Sequence, residues 1–342
     1  MSEHAVRAAS ARTQRRRNTT TPTVSVIIPA RNEAANLPAV IARFPADLFE
    51  VILVDGHSTD GTVEVARELI PAVRVFHQEG RGKGDALAIG FAAARGDVIV
   101  MLDADGSADA VEIPRFVAAL VAGADFVKGS RFAQGGGSSD ITVTRRLGNR
   151  ALCSLVNRAY GMSYTDLCYG YNAFWADCLP LLRLTWPGSP LAASGSAPFG
   201  TGFEVETTLN IRAAKAGLTV WEVPSFERPR IHGQSNLNAI RDGLRILRAI
   251  WDESPGRALR RERTALAGLH LTPHVPALPA SPGPADRLVL PAAVLPTGEF
   301  LATVPQHESL NGNGHAPALN GNGHAPAHNG NGHAPTLNGR HQ

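Results

Sequence analysis

Four nearly continuous apolar runs set the strongest limit on how this chain folds: TVSVIIPA (23–30), FEVILVDG (49–56), VRVFHQ (73–78) and DVIVMLDAD (97–105). A strand with one wet face alternates apolar and polar residues. TVSVIIPA does not, so it is read as a strand buried on both sides, and the other three runs as the second, third and fourth strands. Helical spacing fills the gaps between them. EAANLPAVIARF (33–44) follows Asn32 as N-cap, TVEVARELI (62–70) follows the capping residues Ser58, Thr59 and Asp60, and KGDALAIGFAAARG (83–96) closes on Gly96 as C-cap. Strands alternating with helices build an α/β fold, a mostly parallel sheet flanked by helices.

In such a sheet, ligands sit beyond the carboxyl ends of the strands. That rule gathers Pro29, Ala30, Arg31 and Asn32 after the first strand with Asp55, Gly56 and His57 after the second. Gln78 to Lys83 follow the third, and Asp103 and Asp105 the fourth. Further on, strands are expected at 124–132, 169–175 and 218–227, with helices from Thr144 to Tyr160 and over 202–217. A last helix, 236–252, is amphipathic: Leu237, Ile240, Leu244, Leu247 and Ile250/Trp251 form a stripe expected to face the core, with Arg241, Arg245 and Arg248 off it.

The folding body is expected over 23–253 as a single domain. Residues 1–22 are polar, carry RTQRRR and lack the apolar segment of a secretory signal, so they read as a solvated basic tail. Residues 254–342 turn Pro- and Ala-rich and then repeat NGNGHAP, a composition with too little apolar surface to offset ordering entropy. No apolar segment reaches the length of a membrane span. Cys153, Cys168 and Cys178 have no metal-ligand spacing, and an odd set fits a reducing cytoplasm. A net charge of +3 gives no reason to expect nucleic-acid binding.

Asp103 and Asp105 stand one residue apart. On an extended segment they would point the same way, and two such carboxylates repel unless a cation lies between them. DADG is also good turn chemistry, which is the alternative. Asp55 suits a donor N–H of a base or a ribose hydroxyl, or else an N-cap. GRGKGD (80–85) joins glycines, Arg81 and Lys83 ahead of a helix, which makes either a phosphate cradle or a plain glycine-rich turn. It is neither a P-loop nor a dinucleotide fingerprint.

Taken together, SVIIPARNEAANL, VDGHSTDGT, GRGKGDAL, DADGS and KGSRF resemble the family 2 nucleotide-sugar glycosyltransferases with a GT-A fold, over residues 23 to 253. TDLCYGYNAFW, GTGFEVET and RIHGQSN are similar to the branch of dolichol- and polyprenyl-phosphate glycosyl synthases. The resemblance implies a Rossmann-like sheet and a Mg2+ or Mn2+ held by Asp103 and Asp105 against the donor diphosphate, with Ala104 between them. It implies that Asp55 reads the nucleotide base, that Pro29, Arg31 and Glu33 face the nucleotide with Lys83 at the donor site, and that Arg131, Arg145, Arg146 and Arg230 surround the donor and acceptor phosphates. Asp166 and Arg131 join the two DxD acids as implied catalytic residues. Two positions depart from the pattern: Asp55-Gly56-His57-Ser58 replaces the usual Asp-Asp-Gly-Ser, and Asn236 replaces a lysine.

The implied reaction moves a sugar, with inversion, from a UDP- or GDP-linked donor to a polyprenyl phosphate. Such a phosphate is already ionised and needs no base, whereas a saccharide acceptor, the alternative, would need one. Asp166, Glu204 and Glu206 are the base candidates, although the two glutamates equally suit a helix N-terminus. Arg145, Arg146, Arg150 and Arg158 share a predicted helix, as a solvated face or as an attraction to anionic lipid. Without a span, the protein is expected in the cytoplasm, on the cytosolic membrane face or with a small membrane partner protein. A nucleotidyltransferase would show a glycine-rich signature after the first strand, and a non-catalytic binding module would not require the paired aspartates.

Overall fold

Val26, Ile27, Ile28, Val51, Ile52, Leu53, Val98, Ile99 and Val100 are all buried, as runs without a polar face require. In the computed structural model, which describes residues 19–184, 202, 204–233 and 239–254, they form the middle of one sheet. Its strands are β1 (Val24–Ala30), β2 (Glu50–Asp55), β3 (Arg74–His77), β4 (Val98–Met101), β5 (Phe126–Ser130), β7 (Asn172–Trp175) and β8 (Val220–Pro224). They lie in the order β3-β2-β1-β4-β7-β5-β8, and β7 runs antiparallel to both its neighbours while the other pairs are parallel. A short pair, β6 (Gly137–Ser138) with β9 (Phe226–Glu227), stands apart.

The described α-helices are α1 (Leu37–Ile41), α2 (Thr62–Leu69), α3 (Lys83–Ala93), α4 (Ile113–Val121), α5 (Val143–Tyr160), α6 (Leu179–Leu182), α7 (Glu204–Lys215) and α8 (Ala239–Asp252), with 3-10 turns at Ala110–Glu112 and Ala176–Cys178. The register aligns the strand ends. Ala30 lies beside Asp55, and Asp55 beside His77. Met101 lies opposite Ile27, short of the end of β1, so the chain after β4 passes the end of β1 as a turn. Helix α3 packs against β1 and β2 through Gly90, where a Cβ would lie 2.3 Å from Ile27 Cγ2.

Several expectations give way here. Helix α1 begins at Leu37, not Glu33, and Asn32 is no N-cap: it adopts φ +57°, and its Oδ1 accepts from the Thr59 N–H at 2.9 Å. Helix α3 ends at Ala93, so Gly96 is not its cap; the Gly96 N–H donates to Ser25 Oγ at 2.9 Å. Strand β4 ends at Met101 rather than running to Asp105. Helix α8 turns Ile246 and Ile250 inward, onto a second cluster with Cys153, Val156, Tyr164, Leu167 and Ile211. The inward row is set by Asp242, Ile246 and Ile250 at i, i+4 and i+8, so Leu244, Leu247 and Trp251 face outward instead of into the core. Leu237 and the Ile240 side chain lie outside the described residues, as do most of both expected tails. All described residues fall in one unit, Met1–Leu295. Among the described residues, no helix is long and apolar enough to cross a membrane.

Candidate active site

The β1 loop and the β2 turn are stitched together. The Asn32 N–H donates to Ser58 Oγ, and the Glu33 N–H to Thr62 Oγ1, both at 2.9 Å. Asp55, buried at the end of β2, accepts from the Ser58 N–H at 3.2 Å and lies 3.5 Å from His77 Nδ1. Pro29 is the penultimate residue of β1, and Arg31 is exposed. Glu33 is buried, and its carboxylate is held by the Asn36 amide and by Arg230. Burial pushes its pKa up, and those two partners only partly offset the effect.

Lys83 opens α3 and sits between two acids. Its Nζ lies 2.6 Å from Asp103 Oδ1 and 2.6 Å from Glu206 Oε1, the latter in the first turn of α7. Burial alone would lower the lysine pKa, but the two carboxylates reverse that and raise it, so the ammonium stays charged. An ammonium has three N–H donors, and among the described residues these two acids are its hydrogen-bonding and ion-pair partners. Burial also raises the pKa of Glu206, and among the described residues Glu206 Oε2 has no hydrogen-bond partner. Gly170 faces the group: a Cβ there would lie 2.8 Å from Lys83 Nζ and 3.1 Å from Asp103 Oδ2. Any larger residue would fill the space above the lysine.

Asp105 belongs to a turn, not to an extended strand. Its Oδ1 accepts from the Ser107 N–H at 2.9 Å and from Ser107 Oγ at 2.7 Å, and its Oδ2 lies 3.6 Å from Arg230 Nη1. The expected parallel projection of Asp103 and Asp105 therefore does not occur; one acid is drawn towards Lys83 and the other towards Arg230. Residues 228–233 form a strap over this turn. The Arg228 N–H donates to Ser107 O at 2.8 Å, and the Ile231 N–H to Asp105 O at 3.1 Å. Gly106, at φ +77°, lies under Ile231, where a Cβ would be 2.4 Å from its Cδ1. At its far end the strap reaches the β1 loop, with the His232 N–H on Asn36 Oδ1 at 2.8 Å.

Among the described residues, no group of three or more His, Cys, Asp or Glu side chains is placed to hold a metal. A hard divalent cation that takes one or two carboxylates from the protein, and its other oxygens from phosphate and water, still fits this donor set. Asp103 and Asp105 are partly open, 32% and 22% exposed at the side chain, and Gly170 leaves Asp103 Oδ2 uncovered by a Cβ. Ala104 is buried between them.

Arg131 and Asp166 lie elsewhere, facing each other inside the protein. Arg131 Nε and Nη2 donate to the two Asp166 oxygens at 2.7 and 2.9 Å, and Nη1 donates to Glu227 at 3.1 Å. Burial would raise the Asp166 pKa, but the guanidinium outweighs it and holds the carboxyl below its ordinary value. So paired, Arg131 has little to offer a phosphate and Asp166 is poorly placed as a base. Arg145 reaches Asp140 at 3.2 Å and Glu227 at 3.9 Å, while Arg146 is exposed. Glu204 accepts from the Gly202 N–H at 3.0 Å, as a helix-start acid does. The sequence expectations did not include Glu227 or Gly170; the glycine in DLCYG was a visible signal, and nothing marked the glutamate.

A mostly parallel sheet with acids, a lysine and an arginine gathered at its strand ends has the architecture of a GT-A glycosyltransferase. The glycosyl transferase family 2 description matches residues 25–179. The chain is 34% identical over 224 residues to the undecaprenyl-phosphate mannosyltransferase of Micrococcus luteus, covering 63% of this chain and 87% of that protein. It is 33% identical over 228 residues to the polyprenol monophosphomannose synthase of Mycolicibacterium smegmatis, covering 62% and 80%. Among solved structures, glucosyl-3-phosphoglycerate synthase from Mycobacterium tuberculosis, in complex with Mg2+ and UDP, shares the fold with a TM-score of 0.53 and 24% identity, over 69% of this chain and 80% of that one. The chain belongs to glycosyl transferase family 2.

Proposed function

We propose that this glycosyltransferase moves a sugar, with inversion, from a nucleoside-diphosphate donor to a polyprenyl phosphate. The observation that carries the acceptor is the state of the base candidates. Asp166 is buried against Arg131, Glu206 is paired with Lys83, and Glu204 accepts from a backbone N–H. A sugar hydroxyl would need one of them to take its proton, and each is already held by a cation or a backbone N–H; a phosphate monoester, with a second pKa of about 6, attacks as an anion already. The named activities of the two mannosyl-transferring relatives support the same acceptor class.

In this reading, Asp103 and Asp105 would hold Mg2+ or Mn2+, which would supply positive charge beside the leaving diphosphate. Lys83 points its third N–H at a diphosphate oxygen while Glu206 fixes its position. Asp55 and the β1 loop receive the nucleoside, and Arg230 links the strap to the donor side through Asp105 and Glu33. The purified protein should be incubated with UDP- and GDP-sugars, with and without polyprenyl phosphate and Mn2+. Transfer to the lipid phosphate is expected; transfer only to a water-soluble sugar would overturn the acceptor and keep the enzyme class.

A further inference from the structure

Helix α5 carries Arg145, Arg146, Arg150 and Arg158 and no acid. Its inner side packs Cys153 and Val156 into the second cluster. Its outer side carries a row at i, i+4 spacing, Val143, Leu147, Ala151 and Leu155, all exposed, with Leu147 at 62%. Arg146, Arg150 and Arg158 are exposed as well, and none has a carboxylate partner among the described residues. Helix α8 repeats the apolar part of the arrangement. Ile246 and Ile250 enter the same cluster, while Leu244 (63%), Leu247 and Trp251 (62%) are exposed, and the exposed Arg248 lies 3.9 Å from Asp252. The two helices adjoin, and the Tyr160 hydroxyl ties their C-terminal ends by donating to Glu253 O at 2.9 Å.

A single exposed leucine is ordinary, but apolar rows on two adjoining helices are not. The charge beside them narrows the occupant. A second copy would bring the same arginine-rich α5 surface and repel it, whereas an anionic bilayer accepts both features: aliphatic side chains and tryptophan at the headgroup boundary, and arginines on lipid phosphates. We propose that the outer faces of α5 and α8 form one docking face for an anionic membrane surface. The face adds to the lipid-phosphate reading without resting on it, because binding to vesicles needs neither donor nor acceptor.

The test is cosedimentation of the full chain with phosphatidylcholine vesicles, with and without phosphatidylglycerol, in the absence of substrates. The chain is expected to pellet with the anionic vesicles and to be released by salt. Arg150→Glu with Arg158→Glu should weaken binding about 25-fold, at about fivefold per arginine. Leu244→Asn with Trp251→Asn should weaken it about tenfold or more, while Trp251→Phe binds as the parent does. All these sites are exposed, and an unchanged thermal midpoint checks the fold. Quenching of Trp251 by brominated lipid, lost in Trp251→Phe, is a second readout. A parent chain that stays in the supernatant overturns the proposal, as do charge-reversed variants that pellet undiminished. A gel-filtration dimer dispersed by the Leu244/Trp251 substitutions would assign the face to a second copy instead.

Discussion

At the scale of single residues, two buried charge clusters behave differently because one is complete and the other is open. Arg131 spends its guanidinium on Asp166 and Glu227, so losing the Asp166 charge breaks a bidentate ion pair inside the protein. Asp166→Asn is expected to cost about 3–5 kcal/mol of stability, read from urea unfolding. The sign of the pH effect follows from the lowered Asp166 pKa. Its contribution is present above the unfolded-state value of about 3.9 and is lost as pH falls through the lower folded-state value. Parent and variant should therefore converge in stability under strong acid. A stable but inactive Asp166→Asn protein would instead restore this residue as a base. Lys83 is open on one side. Lys83→Met should weaken nucleoside-diphosphate binding about 10- to 100-fold, by the loss of one charged hydrogen bond worth roughly 1.5–3 kcal/mol, as measured by calorimetry. Undiminished binding would remove the lysine from the donor site.

At the scale of elements, legibility followed local pattern. Strands β1, β2 and β4 were readable because their side chains are buried on both faces, leaving no polar period. The direction of β7 was not, since antiparallel pairing with β4 and β5 depends on partners far away in the chain. Helix α4 had no counterpart in the sequence expectations; Asp109 caps a single 3-10 turn first, which blurs its start. The outward row of α8 was misplaced because its apolar stripe is broad and packing buries only one edge of it. The DxD acids were recognisable as a pair, but their geometry was not: the Ser107 hydroxyl and the strap from 228–233 turn Asp105 away from Asp103. One element test isolates the space above Lys83. Gly170→Ala places a Cβ 2.8 Å from Nζ, so it should depress donor binding and transfer by tenfold or more, on the order of one charged hydrogen bond. Its unfolding midpoint should move little, since the clash is with the end of a flexible side chain. A Gly170→Ala enzyme with parental kinetics would show that the space is not used.

At the scale of the molecule, the site joins parts of the chain that are otherwise independent. The β1 loop, the start of α3, α7 and the strap each contribute one group and the β4 turn two, and the crossing bonds are Lys83 to Asp103 and Glu206, and Arg230 to Asp105 and Glu33. A donor diphosphate with its cation would add bonds across the same seams. Binding to the folded state alone, at a hundredfold excess over Kd, stabilises by about 2.7 kcal/mol. For a body of this size that corresponds to a rise of roughly 5–10 °C in the thermal midpoint. The rise should need both partners: UDP or GDP together with Mg2+ or Mn2+, with nucleotide alone giving a small shift through Lys83. Asp105→Asn should abolish the cation-dependent part and keep the small shift, whereas Lys83→Met should lose the small shift and reduce the rest. Differential scanning calorimetry with each nucleotide, with the cation and then with chelator, reads all of these. If no nucleotide gives a cation-dependent shift, the strand-end acids are turn residues and the metal-assisted reading fails.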